Sequence, residues 1–551
     1  MLLRGSNHRS PILGLLFVVL AHAAALALNS VPICTAPQHQ RTGAAVASTG
    51  GTTVVVWVDE RNTGTGKDIY AQRIDSLGVG LWAHDGIAVC TDSATQGTMT
   101  AVSDGAGGVI VVWIDGRGGF GNRDIYAQRV DSAGNCLWTT DGIPVCDAAE
   151  DQTDIDAAAD DNGGAIVVWE DERLAVTHTN IFAQRVGPDG SLSWGADGIA
   201  VCDTSINMHP KVISDDAGGA VFVWEDNRSG FDGTNYDIYA QRVNADGVKQ
   251  WSPDKGVQIT DAEHGQVEPA VAPDGSGGAI IIWEDHRPHS HSDDIYAQRV
   301  SGSGAVLWVA DDVPVCTADG YQNVFDIVHD DAGGAIVVWE DQPPLGLFAQ
   351  RLGPDGDALW GDGGSAVIDS LDGYTGFTLV ADGHGGIIVS WSHRLSDETS
   401  YDIFAQRLDP SSSQLWPAEA VTVTNAASSQ SSPVLAPTGD GGVVLAWNDY
   451  RNGSTSGFDI CTQGLTPEGE LRMSPATDAV VSPCDQAGVI EPGRDGAERA
   501  RVFTLNGARV RRVEQAATRT GSGSRGGRAA MGVYIRDATT GQPRPVVELH
   551  R

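Results

Sequence analysis

Residues 124–130 read DIYAQRV, and the same seven residues return at 237–243 and 294–300. Near copies stand at 68–74 (DIYAQRI), 180–186 (NIFAQRV), 347–352 (LFAQRL), 402–408 (DIFAQRL) and 459–465 (DICTQGL). A tryptophan precedes each copy (Trp57, Trp113, Trp169, Trp224, Trp283, Trp339, Trp391, Trp447), at spacings of 52 to 59 residues. A second follows the first seven copies (Trp82, Trp138, Trp194, Trp251, Trp308, Trp360, Trp416), and the two series account for all 15 tryptophans. Eight copies at a period near 56 mean a repeat architecture, which has to be settled before any motif is read.

Each unit reads as four strands. In the second unit the first strand ends at 100–103, before the turn DGAGG. The second is VIVVWID (109–115), the third DIYAQRV, and the fourth LWTTDGIPVC (137–146). The turns carry hairpin chemistry, Asp followed by Gly residues that reach positive φ without steric cost. Along DIYAQRV, Ile125, Ala127 and Arg129 point to one side and Tyr126, Gln128 and Val130 to the other. No segment shows a 3.6-residue period, so helices are not expected. Four-stranded units of this length, repeated eight times, predict an all-β, eight-bladed β-propeller. An open solenoid is the competing architecture. The apolar second strands favour a closed ring, because they suit burial between neighbouring blades. The eighth unit lacks a convincing fourth strand, whereas VPIC at 31–34 aligns with IAVC (87–90) and IPVC (143–146). Residues 31–34 are therefore expected to complete the last blade and remove two exposed edges; residues 478–481 could fill the same slot.

The stretch AQRVDSAGNCLW (127–138) resembles the tryptophan-docking repeat of pyrroloquinoline-quinone dehydrogenases, which are also eight-bladed. It departs from that repeat in having Arg129 where the family has Asp, and the quinone-binding residues have no counterpart. GPDGSLSW (187–194) is similar to the Asp-box turn of sialidases. Both resemblances imply a propeller; neither carries an activity with it. Near the C-terminus, VFTLNGARVRRV (502–513) and MGVYIRDATTGQPRPVVELHR (531–551) resemble the Ig-like sorting module of secreted bacterial proteins, related to flagellar hook-capping and type IX secretion modules. Val502, Gly507, Arg509, Val510, Arg511, Gly532, Val533, Tyr534 and Gly541 carry that likeness. It implies export and attachment to a cell surface. The charge balance also changes there: from Asp485 onward 12 Arg stand against seven acidic residues.

The domain organisation read from these patterns is a signal peptide over 1–27, a propeller over 28–482, a linker over 483–496 and a small sandwich-like segment over 497–551. The leader reading rests on Arg4 and Arg9, an uncharged apolar run over 12–28, and small-residue sites at its end. The rival reading of that run is an uncleaved membrane anchor. Cys34 lacks the small residues of a lipobox before it. The net charge of −37 argues against nucleic acid as a partner, since phosphate binding needs clustered Lys and Arg. An acidic surface suits cation binding or simple solubility equally well.

Candidate chemistry is sparse. Eight cysteines in an exported chain would ordinarily suggest disulfides. Five of them (Cys34, Cys90, Cys146, Cys202, Cys316) share one repeat position, however, too far apart from blade to blade to bridge. They read as packing residues; Cys34 alone has candidate partners, in Cys461 and Cys484. The motif Trp-x-Asp-x-Arg recurs in six units and breaks in the sixth (Asp341-Gln342-Pro343) and seventh (Ser392-His393-Arg394). Its carboxylates could bind cations, but pairing with their own Arg or with the Arg of AQR is the simpler reading. SDDAGG (214–219) and HDDAGG (329–334) are acidic enough for Ca2+, yet lack the ligand spacing of a known loop. In the fifth unit, His286, His289 and His291 with Asp293 and Asp294 are candidate ligands for a divalent metal, against a reading as a solvated loop. The loops between second and third strands vary most, and variable loops on a rigid scaffold are where recognition sits. Phe120, Phe231, Tyr236 and Phe458 on these loops are candidate stacking residues for a carbohydrate or peptide, or else anchors for the loops themselves.

No nucleophile triad, phosphate loop or paired-carboxylate site stands out. The expected function is an exported, monomeric, non-enzymatic propeller that binds a glycan, peptide or envelope component on its loop face at the cell surface. The alternatives are a secreted sialidase-like hydrolase or lyase, and a structural surface protein.

Overall fold

The computed structural model describes residues 30–472, apart from 63–65, 175–178, 205, 229–234, 290–291, 310–311, 344, 372, 395–399 and 454–456, together with the strands 531–536 and 543–549. Each repeat forms one antiparallel four-stranded sheet. Blade two shows the pattern: Gln96–Ser103, Val109–Asp115, Asp124–Val130 and Ile143–Cys146 pair in that order. The first strands of successive blades touch one another, and that of blade eight (Gln430–Pro437) touches that of blade one (Gln40–Ser48). The ring is closed: an eight-bladed propeller with the first strands around its axis. The outer strand of blade eight is Val31–Cys34, antiparallel to Asp459–Leu465. No described helix is long and apolar enough to cross a membrane.

The second strands are the core. Every residue of Val109–Asp115 is buried, and the eight leading tryptophans all have 0% exposure. In the first seven blades this tryptophan lies opposite a third-strand aromatic, as Trp113 on Tyr126 with ring centroids 6.4 Å apart; in blade eight Trp447 lies opposite Cys461. The indole N–H must be satisfied, since an orphaned buried donor is costly. Trp113 Nε1 donates to Asp115 Oδ2 at 2.8 Å, and Arg117 closes on the same carboxylate through Nε (2.9 Å) and Nη2 (2.7 Å). The motif aspartates thus pair with their own arginines. The AQR arginines of blades two to seven have a different partner, the Asp of the turn between first and second strands, whereas Arg73 of blade one bonds Thr52. Arg129 meets Asp104 Oδ2 at 3.0 Å, and the same pair recurs as Arg185–Asp160, Arg242–Asp215, Arg299–Asp274, Arg351–Asp330 and Arg407–Asp382.

The second tryptophan series ties blade to blade. Trp138 Nε1 donates to the Pro188 carbonyl of the next blade at 3.3 Å, and Arg129 Nη1 donates to that oxygen at 2.8 Å. Six further tryptophans dock likewise, from Trp82 on Ser132 to Trp416 on Pro467. The turn residue under the ring is usually glycine at positive φ: Gly247 has φ +78°, and a Cβ there would lie 2.8 Å from Trp194. This docking corrects the expected fourth strand. Leu137 and Trp138 belong to the docking segment, and the strand is only Ile143–Cys146.

The last junction is built differently. Gly464 replaces the AQR arginine of blade eight, because a Cβ there would lie 2.1 Å from the Ser76 carbonyl of blade one. Arg472 supplies the missing guanidinium, 2.7 Å from Asp440. No disulfide joins any two of the seven described cysteines, so Cys34 and Cys461 are not bridged to each other. Burial pushes the Cys90 and Cys146 thiols up to about 12, which makes them unreactive packing groups. Cys484 and the stretch 502–513 lie outside the described residues. The C-terminal unit is described by one antiparallel pair, Met531–Arg536 with Pro543–Leu549.

Candidate functional site

The loop aromatics do not form one platform. Phe120 stands fully exposed between the second and third strands of blade two. Tyr236 is half-buried in blade four, where its carbonyl accepts the Gln266 amide of blade five. Phe458 is an anchor at the closing junction: its ring packs against Tyr450 (4.8 Å) and His39 (5.5 Å), with Arg41 above it at 5.7 Å. Phe231 lies outside the described residues. The turn aspartates are likewise engaged: Asp215 Oδ1 accepts the Ala217 and Gly219 amides, and Oδ2 faces Arg242.

Two of the candidate metal ligands in blade five do come together. His286 Nε2 lies 3.0 Å from Glu284 Oε1 and 3.5 Å from Asp293 Oδ1. The hydrogen bond to Glu284 raises the His286 pKa, and burial raises that of Asp293. Asp294 turns away; it is 4% exposed and pairs across the sheet with Asp285. The side chains of His289 and His291 lie outside the described residues. Glu284 was not anticipated, although its spacing from His286 places both on one face of the strand.

A larger constellation sits at the axis, where the first strands begin. Four of these strands carry a bulge at their third residue, whose φ is positive: Asp154 (45°), His209 (50°), Glu268 (51°) and Ser432 (52°). At His209 and Glu268 the residue between Trp and Asp in the preceding blade caps the bulged amide. Glu170 Oε1 accepts the His209 N–H at 2.9 Å, and Glu225 Oε1 accepts the Glu268 N–H at 2.6 Å. At the opposite side of the ring Asn448 does the same for Thr42, at 2.7 Å. The cap is a structural device, but in blades three to five it assembles five ionisable groups. His209 Nδ1 lies 2.6 Å from Glu225 Oε1 and 3.7 Å from Glu268 Oε1. Asp154, Glu170 and His209 form a second trio whose ligand atoms lie within 4.8 Å of one another. Glu225 is 1% exposed, and its hydrogen bond pushes the His209 pKa up to about 9 against the opposing effect of burial. Four carboxylates surround one imidazolium, so the mouth is anionic even with His209 charged.

Deeper along the first strands of blades three, four and six stand Asp156, Lys211 and Asp326, in equivalent register opposite Val168, Val223 and Val338. Asp326 has solvent-exposed surface, yet the protein around it pushes its carboxyl up to about 6, chiefly by desolvation. That combination fits the wall of a narrow channel, where a side chain keeps open surface yet is enclosed by protein on all sides. Burial likewise raises Asp156, with Lys211 opposing. Beyond them the wall turns apolar, and Val271, Ile327, Leu379 and Pro437 line a cavity of ≈ 330 Å³.

No protein-family model and no curated protein matches the chain. Several solved structures are similar to it. A puromycin hydrolase mutant complexed with PGG shares 16% identity over 76% of this chain, with a TM-score of 0.42, and 60% of the hydrolase chain is spanned. The Dos1 propeller shares 10% identity over 82% of this chain and 98% of its own, with a TM-score of 0.42. Prolyl oligopeptidase B from Galerina marginata shares 11% over 79% of this chain and 58% of its own, with a TM-score of 0.43.

Proposed function

We propose that this protein is an exported, non-enzymatic binding propeller that takes a basic peptide at the axial mouth of its loop face. The observation that carries this reading is the asymmetry around His209. Structural positions repeat round the ring, whereas Asp154, Glu170, His209, Glu225 and Glu268 crowd into three adjacent blades. They sit at the same end of the blades as the variable loops, which follow the second strands. Lysine or arginine side chains entering the mouth would replace carboxylate repulsion with charge-assisted hydrogen bonds. A peptide fits better than a glycan, because the exposed aromatics are dispersed over separate blades rather than forming a stacking surface.

Isothermal titration with a lysine-rich hexapeptide tests the reading. Saturable 1:1 binding is expected, weakening with salt and falling about tenfold in the double variant Glu225→Gln/Glu268→Gln. The peptide should be recovered intact. Undiminished binding by the double variant would remove the axial mouth as the site, and cleaved peptide would make the chain an enzyme.

A further inference from the structure

In five blades a single arrangement recurs around the leading tryptophan. The indole N–H and the motif arginine share the Asp carboxylate, and the guanidinium lies over the third-strand aromatic ring. Arg61 stands 3.8 Å from the Tyr70 centroid, Arg117 3.7 Å from Tyr126, Arg173 4.1 Å from Phe182, Arg228 3.9 Å from Tyr239 and Arg287 4.0 Å from Tyr296. Blade eight keeps the Arg451–Asp449 pair, with Cys461 in place of the aromatic opposite Trp447. Blade seven substitutes His393, whose Nδ1 accepts Trp391 Nε1 at 3.0 Å and whose ring packs on Phe404 at 4.2 Å.

Blade six has the receptor and lacks the cation. Pro343 occupies the arginine position and is exposed rather than packed inward. Trp339 is 0% exposed, and its Nε1 has no hydrogen-bond partner among the described residues. Asp341 is half-buried, where the six other motif aspartates are at 0%. It accepts one bond, from Gln322 Nε2 at 3.1 Å, and forms no ion pair among the described residues. Phe348 lies beside Trp339 (6.3 Å between centroids) and is partly exposed, with no cation over its ring among the described residues.

We propose that blade six is a guanidinium-binding slot, which takes an arginine side chain from a peptide or protein partner. The planar cation would lie over Phe348 and donate to Asp341, drawing that carboxylate back to the Trp339 N–H as in its sister blades. Guanidinium suits the slot better than ammonium because the arrangement is bidentate and stacked. This deepens the binding reading above by naming one anchor residue of the ligand. It rests on that reading only for the partner being a peptide, since the slot's own chemistry is independent of the axial carboxylates.

Agmatine, an arginine side chain without its backbone, is the probe, with cadaverine as the ammonium control. Agmatine can also enter the axial mouth, so calorimetry is run on the full chain carrying Glu225→Gln/Glu268→Gln, which should still bind agmatine, and the slot variants are made in that background. Asp341→Asn should weaken it at least tenfold, and Pro343→Arg, which restores the internal cation, should abolish it. Cadaverine should bind severalfold more weakly. If the axial double variant takes up no agmatine, or Pro343→Arg in that background takes it up with unchanged affinity, the slot is wrong. Loss in the axial double variant with retention in Pro343→Arg made alone would place agmatine at the axial mouth instead, and would overturn the slot while leaving the axial reading intact. Asp341→Asn keeps the test decisive should Pro343→Arg fail to fold.

Discussion

The tryptophan stacks and the axial mouth grow from the same strands a few residues apart, yet they obey opposite rules. In the stacks, Trp, Asp and Arg repeat with little variation, because each blade must bury the same surface against its neighbour. At the mouth, the residue between Trp and Asp runs Val58, Ile114, Glu170, Glu225, Glu284, Glu340, Ser392 and Asn448 round the ring. That position needs at most one acceptor for a bulged amide, and several side chains supply one. Its surplus chemistry is free to vary, and in blades three to six it has become charged. Constancy round the ring marks what the fold requires, and variation marks where one sector has been given a task.

The sharpest test of that division is to damage one stack. Trp113 is fully enclosed, so Trp113→Ala loses the transfer energy of an indole and leaves a cavity between blades. A cost of about 3–5 kcal/mol is expected in denaturant unfolding. The same substitution at the docking position, Trp138, should cost clearly less, since Trp138 is only half-buried and contributes one inter-blade hydrogen bond. Equal losses at the two sites would mean that the docking ring, not the stack, holds the propeller.

A smaller effect separates the channel wall from the core. The Asp326 carboxyl is pushed up to about 6, above its value in the unfolded chain, so the folded state holds the proton more tightly. Its contribution to stability is fully present below the unfolded pKa near 4 and is lost as pH rises through about 6. Asp326→Asn removes the charge that must otherwise form in the channel. It should therefore stabilise the protein at pH 8 by about 1 kcal/mol, the full shift being discounted for lumen water, and make no difference at pH 4. A loss of stability at pH 8 would mean that the pairing of Asp326 with Lys211 outweighs desolvation.

Much of the ring was legible because repetition is itself a measurement: eight copies of one strand exclude most folds before any propensity is weighed. The fourth strand was overextended for a physical reason. Leu137 and Trp138 adjoin an apolar strand, and apolarity alone does not tell sheet pairing from docking on the next blade. The axial cluster escaped a reading that looked for motifs, since Glu170, His209 and Glu268 lie in three different blades and form no pattern along the chain. It was nevertheless visible as departure from the repeat, in the column that holds Glu170 and Glu225. The aromatic candidates failed to converge because a loop's residues do not reveal their azimuth round the ring; Phe120 and Phe458 belong to different sectors, and Phe458 is already engaged by Tyr450 and His39.

The smallest effect probes the mouth itself. His209 holds its proton up to about 9 because Glu225 bonds Nδ1 at 2.6 Å. Stabilisation from this pair is complete below the unfolded histidine pKa near 6.5 and vanishes as pH rises through about 9. Glu225→Gln preserves the cap on the Glu268 amide but removes the charge. The His209 resonance, followed by NMR, should then titrate well below 9, while unfolding at pH 10 stays close to wild type. A His209 that still titrates near 9 would transfer the role to Glu268, Asp154 and Glu170. The mouth would then act as a diffuse field instead of a set of specific bonds, and a basic ligand would be drawn to it without being oriented.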